Sequence, residues 1–273
     1  MAVFFRQYPC RTNFFRQIPY LEKVTLDTPM NPSDSSEPTG PSQLTTDAIR
    51  AMRRSYGEIG LLESTLSPNP LDQFSIWLAE AAANIVIVEA NAMVLSTLST
   101  LSTGSLPGSK SDDDLHGPAS RTVLLKEVSS SGFSFYTNYE SDKARQIDEN
   151  PQVSLLFPWY PMERQVIVQG TAEKVSQSVT DEYFATRPWS SQIGAWASSQ
   201  SEELESRAAL EAQYAYFAAL YPEGSAVPTP PHWGGFLVKP QSVEFWQGRY
   251  SRLHDRLRYS LVTDGWQIRR LHP

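Results

Sequence analysis

Glu244-Phe245-Trp246-Gln247-Gly248, followed by Arg252-Leu253-His254-Asp255-Arg256, sets two arginines, a histidine, an aspartate and an indole within thirteen residues of strand-like sequence. A guanidinium presents a rigid fork of donors that matches phosphate or carboxylate, so two of them beside an imidazole suit an anionic ligand. Standing alone, an R-x-H-x-R pattern reads more simply as the charged end of a strand with a local Arg–Asp pair. Its surroundings decide the matter. Downstream, Leu257–Val262 and Gln267–Leu271 read as strands bracketing Asp264-Gly265, a hairpin signal because both central residues accept positive φ.

Upstream the same texture continues. Ala92–Leu98, Thr122–Val128, Phe133–Thr137, Val153–Phe157, Gln165–Gln169, Gly235–Val238 and Ser242–Trp246 are short strand-like runs separated by turn residues. Helical patterns cover Val179–Thr186 and Glu202–Tyr221. A further helix starts at Asn69, a good N-cap, with Pro70 at its first position and Leu71, Phe74, Leu78 and Ala81 along one face. Many short strands with few helices predict a mainly β, α+β fold, a small barrel with helical decoration. Residues 99–120, rich in Ser, Thr and Gly and then Lys110-Ser111-Asp112-Asp113-Asp114, read as an inserted loop.

The chain has 273 residues and a net charge of −7, which argues against a nucleic-acid partner, since that needs a basic face. No apolar run reaches the roughly eighteen residues of a membrane helix, so no membrane partner is expected. Cys10 is the only cysteine, which rules out an internal disulfide and fits a reducing, cytoplasmic compartment. The four histidines, His116, His232, His254 and His272, show no paired spacing, so no metal site is expected. There is no G-x-G-x-x-G fingerprint and no G-x-S-x-G elbow.

Residues 1–46 read as a disordered N-terminal extension ahead of a single domain over 47–273. Arg6, Arg11 and Arg16, with no acid before Glu22, are compatible with a mitochondrial targeting segment. Pro9, Pro19 and the absence of serine there argue instead for a plain tail.

In order along residues 50–273, the motifs resemble those of the pyridoxine/pyridoxamine 5′-phosphate oxidase family. Arg121-Thr122-Val123-Leu124-Leu125-Lys126 resembles the family's flavin-gripping strand, and Phe135-Tyr136-Thr137-Asn138 with Ser141 and Lys143 its phosphate turn. Glu163-Arg164-Gln165-Val166, Tyr183 to Pro188, Ser190 to Gly194, Gln200-Ser201, Trp233-Gly234-Gly235 and the ending Trp266 to Pro273 also match, as does the opening stretch. The resemblance implies an FMN-binding split β-barrel that works as a homodimer, with FMN at the subunit interface. It further implies oxidation of pyridoxine and pyridoxamine 5′-phosphates to pyridoxal 5′-phosphate in vitamin B6 metabolism. Oxygen would be the acceptor and hydrogen peroxide a product, with ammonia from the amine.

The same resemblance distributes roles. Arg121, Thr122, Val123, Leu124, Tyr136, Thr137, Lys143, Gln200 and Ser201 would hold FMN, with Gln165 and Trp246 at the flavin and Arg256 in contact with it. Lys126, Tyr183, Arg187 and Ser191 would take the substrate phosphate. Arg252 and His254 would lie over the pyridine ring as the catalytic pair, and Arg53 with Tyr56 would close over the substrate as a lid. Taken singly these residues have plainer readings: Arg121 and Lys126 as solvated strand ends, Tyr183 and Arg187 as a helical surface pair, Trp246 as core.

One position departs from the family, Asp142 in Ser141-Asp142-Lys143, where a cation is usual. A carboxylate beside a phosphate weakens FMN binding, unless Arg145 substitutes. Two other readings stay open: a split-barrel flavoprotein with another substrate, and a non-catalytic binder of FMN or pyridoxal phosphate.

Overall fold

The computed structural model describes residues 46–52, 55–99 and 117–273. The chain divides into two units, residues 1–53 and 54–273. Within the first, the described residues form one short helix, α1 (Thr46–Ala51), with an exposed Arg50–Asp47 pair at 3.3 Å. Most of the expected N-terminal extension, with its targeting signal, lies outside the described residues, as does Arg53.

The second unit is an antiparallel sheet with helices around it. Its strands are β1 (Ala92–Ser99), β2 (Gly117–Leu124), β3 (Glu127–Ser129), β4 (Gly132–Asn138), β5 (Gln152–Trp159), β6 (Arg164–Lys174), β7 (Trp233–Gln247), β8 (Asp255–Val262) and β9 (Gly265–Leu271). They run in the order β2-β1-β5-β6-β7-β4-β3, with β8 pairing β7 and β9. The helices are α2 (Pro70–Ala83), α3 (Asp142–Glu149), α4 (Gln177–Thr186), α5 (Trp189–Ala197) and α6 (Arg207–Leu220).

The long strand β7 explains how the sheet splits. One of its edges pairs with β6 over 236–247, while the other pairs with β4 over 233–238 and with β8 over 242–247. Pro240 falls in the gap between those two ladders, where its missing N–H is not needed. The register against β6 shifts at Gln169/Gly170, opposite this point. Gly170 has no room for a side chain there, since a Cβ would stand 2.2 Å from the Lys239 carbonyl.

The core lies between α2 and the sheet. Asn69 caps α2 as expected, its side chain accepting the Leu71 N–H at 2.9 Å. That fixes a face on which Phe74 meets Phe133 and Phe157 edge-on at 4.9 and 4.7 Å, while Trp77 meets Phe245 at 5.1 Å. Edge-to-face packing of this kind adds about 0.5–1.5 kcal/mol per pair beyond area burial.

Four expectations are corrected. The loop expected over 99–120 is narrower, because Ser99 pairs Gly117 and the ladder continues to Ser96↔Ser120, where the two hydroxyls bond at 2.8 Å. Residues 100–116 lie outside the described residues. The final hairpin turns one residue early: Val262 pairs Gly265, so Thr263 and Asp264 form the loop and Gly265 alone takes positive φ, at 120°. The strand-like runs 235–238 and 242–246 are one strand, for the reason given at Pro240. Two helices had no sequence signal, α3 and α5, and α6 starts at Arg207 rather than Glu202.

Candidate functional site

A cavity of about 1000 Å³ opens between β2, β4, the start of α3, and α4 with α5. At one end, Arg121 on β2 is held by Thr97 of β1, by the Ala119 carbonyl at 3.2 Å and by Gln146 Oε1 of α3 at 3.0 Å. None of these partners is charged. Burial lowers its pKa, opposed by the charge of Asp142.

Beside it, Lys143 is only 9% exposed, and its ammonium reaches Ser141 Oγ at 3.1 Å and Gln200 Oε1 at 2.6 Å. Burial first, then the neighbouring Arg121, pushes Lys143 down to about 8, with Asp142 opposing. Thr137 also donates to Gln200 Oε1, at 3.0 Å. Ser201, in left-handed backbone at φ 79°, accepts the Asp142 N–H at 3.2 Å and so tops the N-terminus of α3. Two close cations, a helix N-terminus and neutral partners make an anion site.

Asp142 also lines this end, but its carboxylate is tied to Arg145 at 2.6 Å, and Arg145 in turn to Glu202 at 3.1 Å. Arg145 is not among the lining residues. It compensates Asp142 rather than replacing the missing cation.

The far wall is aromatic. Tyr136 stacks on Tyr183 at 3.9 Å and on Trp233 at 5.4 Å, with ring planes within 19°. Gly235 permits this, since a Cβ there would meet the Tyr136 ring at 2.7 Å. Arg187 lies over Trp233 at 4.6 Å and over Phe184 at 5.6 Å. It is the C-cap of α4, in extended backbone, so Tyr183 and Arg187 do not form the helical surface pair considered from sequence. Its Nη1 is buried without a hydrogen-bond partner among the described residues, and burial lowers its pKa. A buried donor left unmade costs about 1–3 kcal/mol, more when charged. Lys126, Ser191, Thr122, Val123 and Leu124 also line the cavity.

A second group stands on the other half of β7. Gln165, Trp246 and Arg256 are direct partners across β6, β7 and β8, so their side chains share one face of the sheet. Buried Glu244, two residues before Trp246, binds Arg256 through both oxygens at 2.8 and 3.2 Å and Arg258 at 2.8 Å. These two guanidiniums outweigh burial and hold its carboxyl below the usual range.

The ring of His254 lies 4.6 Å from Trp246, and Tyr56 meets both rings edge-on. His254 Nδ1 accepts the Arg249 N–H at 3.0 Å, which leaves Nε2 as the protonated nitrogen of the neutral ring. Burial, then Arg252, lowers its pKa in the same direction. Arg252 is exposed and left-handed at φ 63°, next to Ser251 at 55°.

The structure therefore sorts the expected residues into two sets. Arg121, Thr122, Val123, Leu124, Lys126, Tyr136, Thr137, Lys143, Tyr183, Arg187, Ser191, Gln200 and Ser201 line one cavity. Tyr56, Trp246 and His254 are in mutual ring contact, and Gln165 and Arg256 flank Trp246 in the ladder, but none of these five nor Arg252 lines the cavity. Among the described non-glycine residues, Glu163, Ser201, Ser251 and Arg252 take positive φ, and all four fall within or beside the motifs read from sequence. Sequence reading gave no role to Trp233, Glu244 or Asp255. Trp233 and Asp255 fall inside quoted motifs, and Glu244 left a signal as an acid spaced to share the face of Trp246.

No group of three or more His, Cys, Asp or Glu among the described residues is arranged to hold a metal ion. No helix among them is long and apolar enough to cross a membrane.

An antiparallel barrel split along one long strand, with a cation-lined cavity beside it, defines the class of FMN-binding split barrels. Similarity to solved structures agrees. PhzG from Burkholderia lata, determined in complex with tetrahydrophenazine-1-carboxylic acid, superposes with a TM-score of 0.68 at 29% identity, covering 80% of this chain and all of that one. A pyridoxamine 5′-phosphate oxidase-related, FMN binding protein from Nostoc punctiforme shares the fold, with a TM-score of 0.56 at 16% identity over 73% of this chain and 97% of that one.

Sequence comparison narrows the class. Residues 79–221 match the pyridoxamine 5′-phosphate oxidase family, and 233–273 match the pyridoxine 5′-phosphate oxidase C-terminal dimerisation region. A pyridoxine/pyridoxamine 5′-phosphate oxidase of Streptomyces avermitilis is 52% identical over 82% of this chain and 95% of its own length. One from Nocardioides is 47% identical over 82% and 98%. The chain belongs to the pyridoxine/pyridoxamine 5′-phosphate oxidase family.

Proposed function

We propose that this protein oxidises pyridoxine 5′-phosphate and pyridoxamine 5′-phosphate to pyridoxal 5′-phosphate, with FMN as cofactor and oxygen as acceptor. The observation that carries this reading is the cavity with two cationic ends. Arg121 and Lys143 stand at the N-terminus of α3, and Arg187 with its unpartnered buried Nη1 stands beyond the aromatic wall. The uncharged hydrogen-bond partners of Arg121 and Lys143 fit the phosphate of FMN, because each cation keeps its charge for an incoming anion. Bound there, FMN would supply the two-electron acceptor for oxidation at the 4′ carbon of the substrate, with oxygen as the final acceptor and hydrogen peroxide as product.

The chain's own residues bind and orient. Arg121, Lys143, Thr137, Gln200 and Ser201 grip the FMN phosphate and ribityl chain, with Thr122, Val123, Leu124 and Tyr136 lining the approach. Arg187, Lys126, Tyr183 and Ser191 hold the substrate phosphate. A substrate bearing its own phosphate matches two further cations better than a carboxylated tricycle such as the one in the PhzG complex. His254, neutral with its proton on Nε2, donates a hydrogen bond to the pyridine substrate, and Arg252 adds charge beside it. Tyr56 covers the pair.

The second set joins the first through a homodimer. Gln165, Trp246, Arg252, His254 and Arg256 do not line their own chain's cavity, and they lie near or within the segment that matches a dimerisation region. In this reading each cavity receives them from the partner subunit. Positioning of this kind converts a bimolecular encounter into an oriented one.

The test is spectroscopic. FMN-loaded protein, freed of oxygen and given pyridoxine 5′-phosphate, should lose its flavin absorbance and regain it on exposure to air. Retained absorbance with both pyridoxine and pyridoxamine phosphates, flavin being demonstrably bound, would reject the oxidase reading.

A further inference from the structure

Between Tyr56 and the start of α2 the chain has only one turn of 3-10 helix, Glu63–Thr65. A segment without ladder bonds must satisfy its backbone groups elsewhere. At Leu61 both backbone groups go to charged side chains from distant parts of the sequence. The Leu61 N–H donates to Asp255 Oδ2 at 2.9 Å, and the Leu61 carbonyl accepts from Arg270 Nη2 at 2.8 Å. The same guanidinium grips Glu63 through both oxygens, at 2.9 and 2.8 Å, and also binds Asp255 Oδ1. Gly60 packs closely here: a Cβ would stand 2.9 Å from Arg249 Nη1 and 3.3 Å from Asp255 Oδ2, so a side chain would push on both groups.

Asp255 thus sits at a junction. It lies next to His254, is itself buried, and faces Arg249, whose backbone N–H fixes the His254 ring. On the other side it holds the segment that begins with Tyr56, the residue edge-on to both Trp246 and His254. Gly57 is held separately, its N–H on Glu163 Oε2 at 2.9 Å.

We propose that Asp255 and Arg270 are positioning residues, a clasp that holds residues 56–63 so that Tyr56 lies against Trp246 and His254 and orders the substrate end of the site. The inference rests on the oxidase reading above. Neither residue lines the cavity or bonds to Arg121 or Lys143, so the grip on the FMN phosphate does not depend on the clasp. Its loss therefore shows in substrate affinity rather than in FMN loading.

The test uses the full chain with Arg270→Ala, Arg270→Lys and the mild surface variant Glu63→Gln. Hydrogen exchange should accelerate at least about tenfold over residues 55–63 in Arg270→Ala, and remain unchanged in β5. The KM for pyridoxine 5′-phosphate should rise about tenfold with kcat within about twofold, FMN affinity should hold, and Arg270→Lys should recover part of the loss. Glu63→Gln should fall between the wild type and Arg270→Ala.

Faster exchange with an unchanged KM would overturn the proposal. So would a joint fall of kcat, FMN affinity and β5 protection, which marks general damage. If the unaltered protein shows no turnover at all, the oxidase reading fails on its own. Exchange over 55–63 then decides the clasp: acceleration in Arg270→Ala sustains it, and no change sinks it.

Discussion

The cavity and the β6–β8 face carry similar residues in opposite electrostatic states. On the β6–β8 face and the neighbouring β9, three arginines are matched: Arg256 and Arg258 to Glu244, and Arg270 to Glu63 and Asp255. In the cavity Arg121 and Lys143 rest on neutral oxygens, and Arg187 buries a donor with no partner among the described residues. Matched guanidiniums fix geometry, because their charge is already used. Unmatched ones hold charge in reserve at a cost in stability, which is the signature of a binding site for an anion.

The sharpest way to break this contrast is Arg187→Met. Losing a charge-assisted bond of about 1.5–3 kcal/mol should lower kcat/KM for pyridoxine 5′-phosphate by roughly 10- to 150-fold. Thermal stability should stay level or rise, because a desolvated, unpartnered donor is gone. A lower melting temperature with intact catalysis would place Arg187 on the structural side of the comparison.

Glu244→Gln should do the reverse. It strands Arg256 and Arg258, which are 30% and 40% exposed, so solvent softens the penalty to about 1–2 kcal/mol of stability. Denaturant unfolding measures this, and no loss would mean that the pairing is incidental.

Lys143 supplies a pH test. Its folded pKa of about 8 lies below the ordinary lysine value, so the charged form is disfavoured in the empty cavity. A phosphate restores that charge. FMN affinity should therefore fall about tenfold between pH 7 and pH 9. For the empty protein the sign reverses: burial of the ammonium destabilises the fold below about pH 8, and that penalty is relieved as pH rises toward 10.5. Flavin fluorescence titrations across pH follow the first effect, and a flat profile would remove Lys143 from the phosphate.

The smallest effect is expected at Asp142. Because Arg145 already compensates it, Asp142→Asn should tighten FMN only about threefold, below the full value of a charge-assisted bond. A gain of a hundredfold would show that the carboxylate acts on the phosphate uncompensated.

How much of this was legible in sequence depended on range. Asn69-Pro70 announced α2 because capping is local, and the alternating strands announced a β fold. α5, Trp189–Ala197, contains Gly194 and three serine or glutamine residues, and is held by Trp196 packing on Phe217 at 5.5 Å, a tertiary effect with no local trace. α3 exposes most of its charged residues and buries only Lys143, Ala144 and Ile147, too narrow a stripe to register.

For the site, the motifs named the residues but not their states. Whether an arginine is matched depends on partners such as Glu63, 207 residues from Arg270, and no spacing rule reaches that far. The division into two sets was equally hidden, since Arg252 and Arg187 look alike as motif residues.

That division gives the most direct measurement. Arg187→Ala and His254→Ala proteins, each strongly impaired as a homodimer, should be mixed under conditions that exchange subunits. If the site is built from two chains, half of the dimers become mixed and each holds one intact site, so activity should return to about a quarter of the wild-type level. No recovery in mixed dimers that are demonstrably formed and loaded with FMN would contradict a cavity completed by the partner's β6–β8 face.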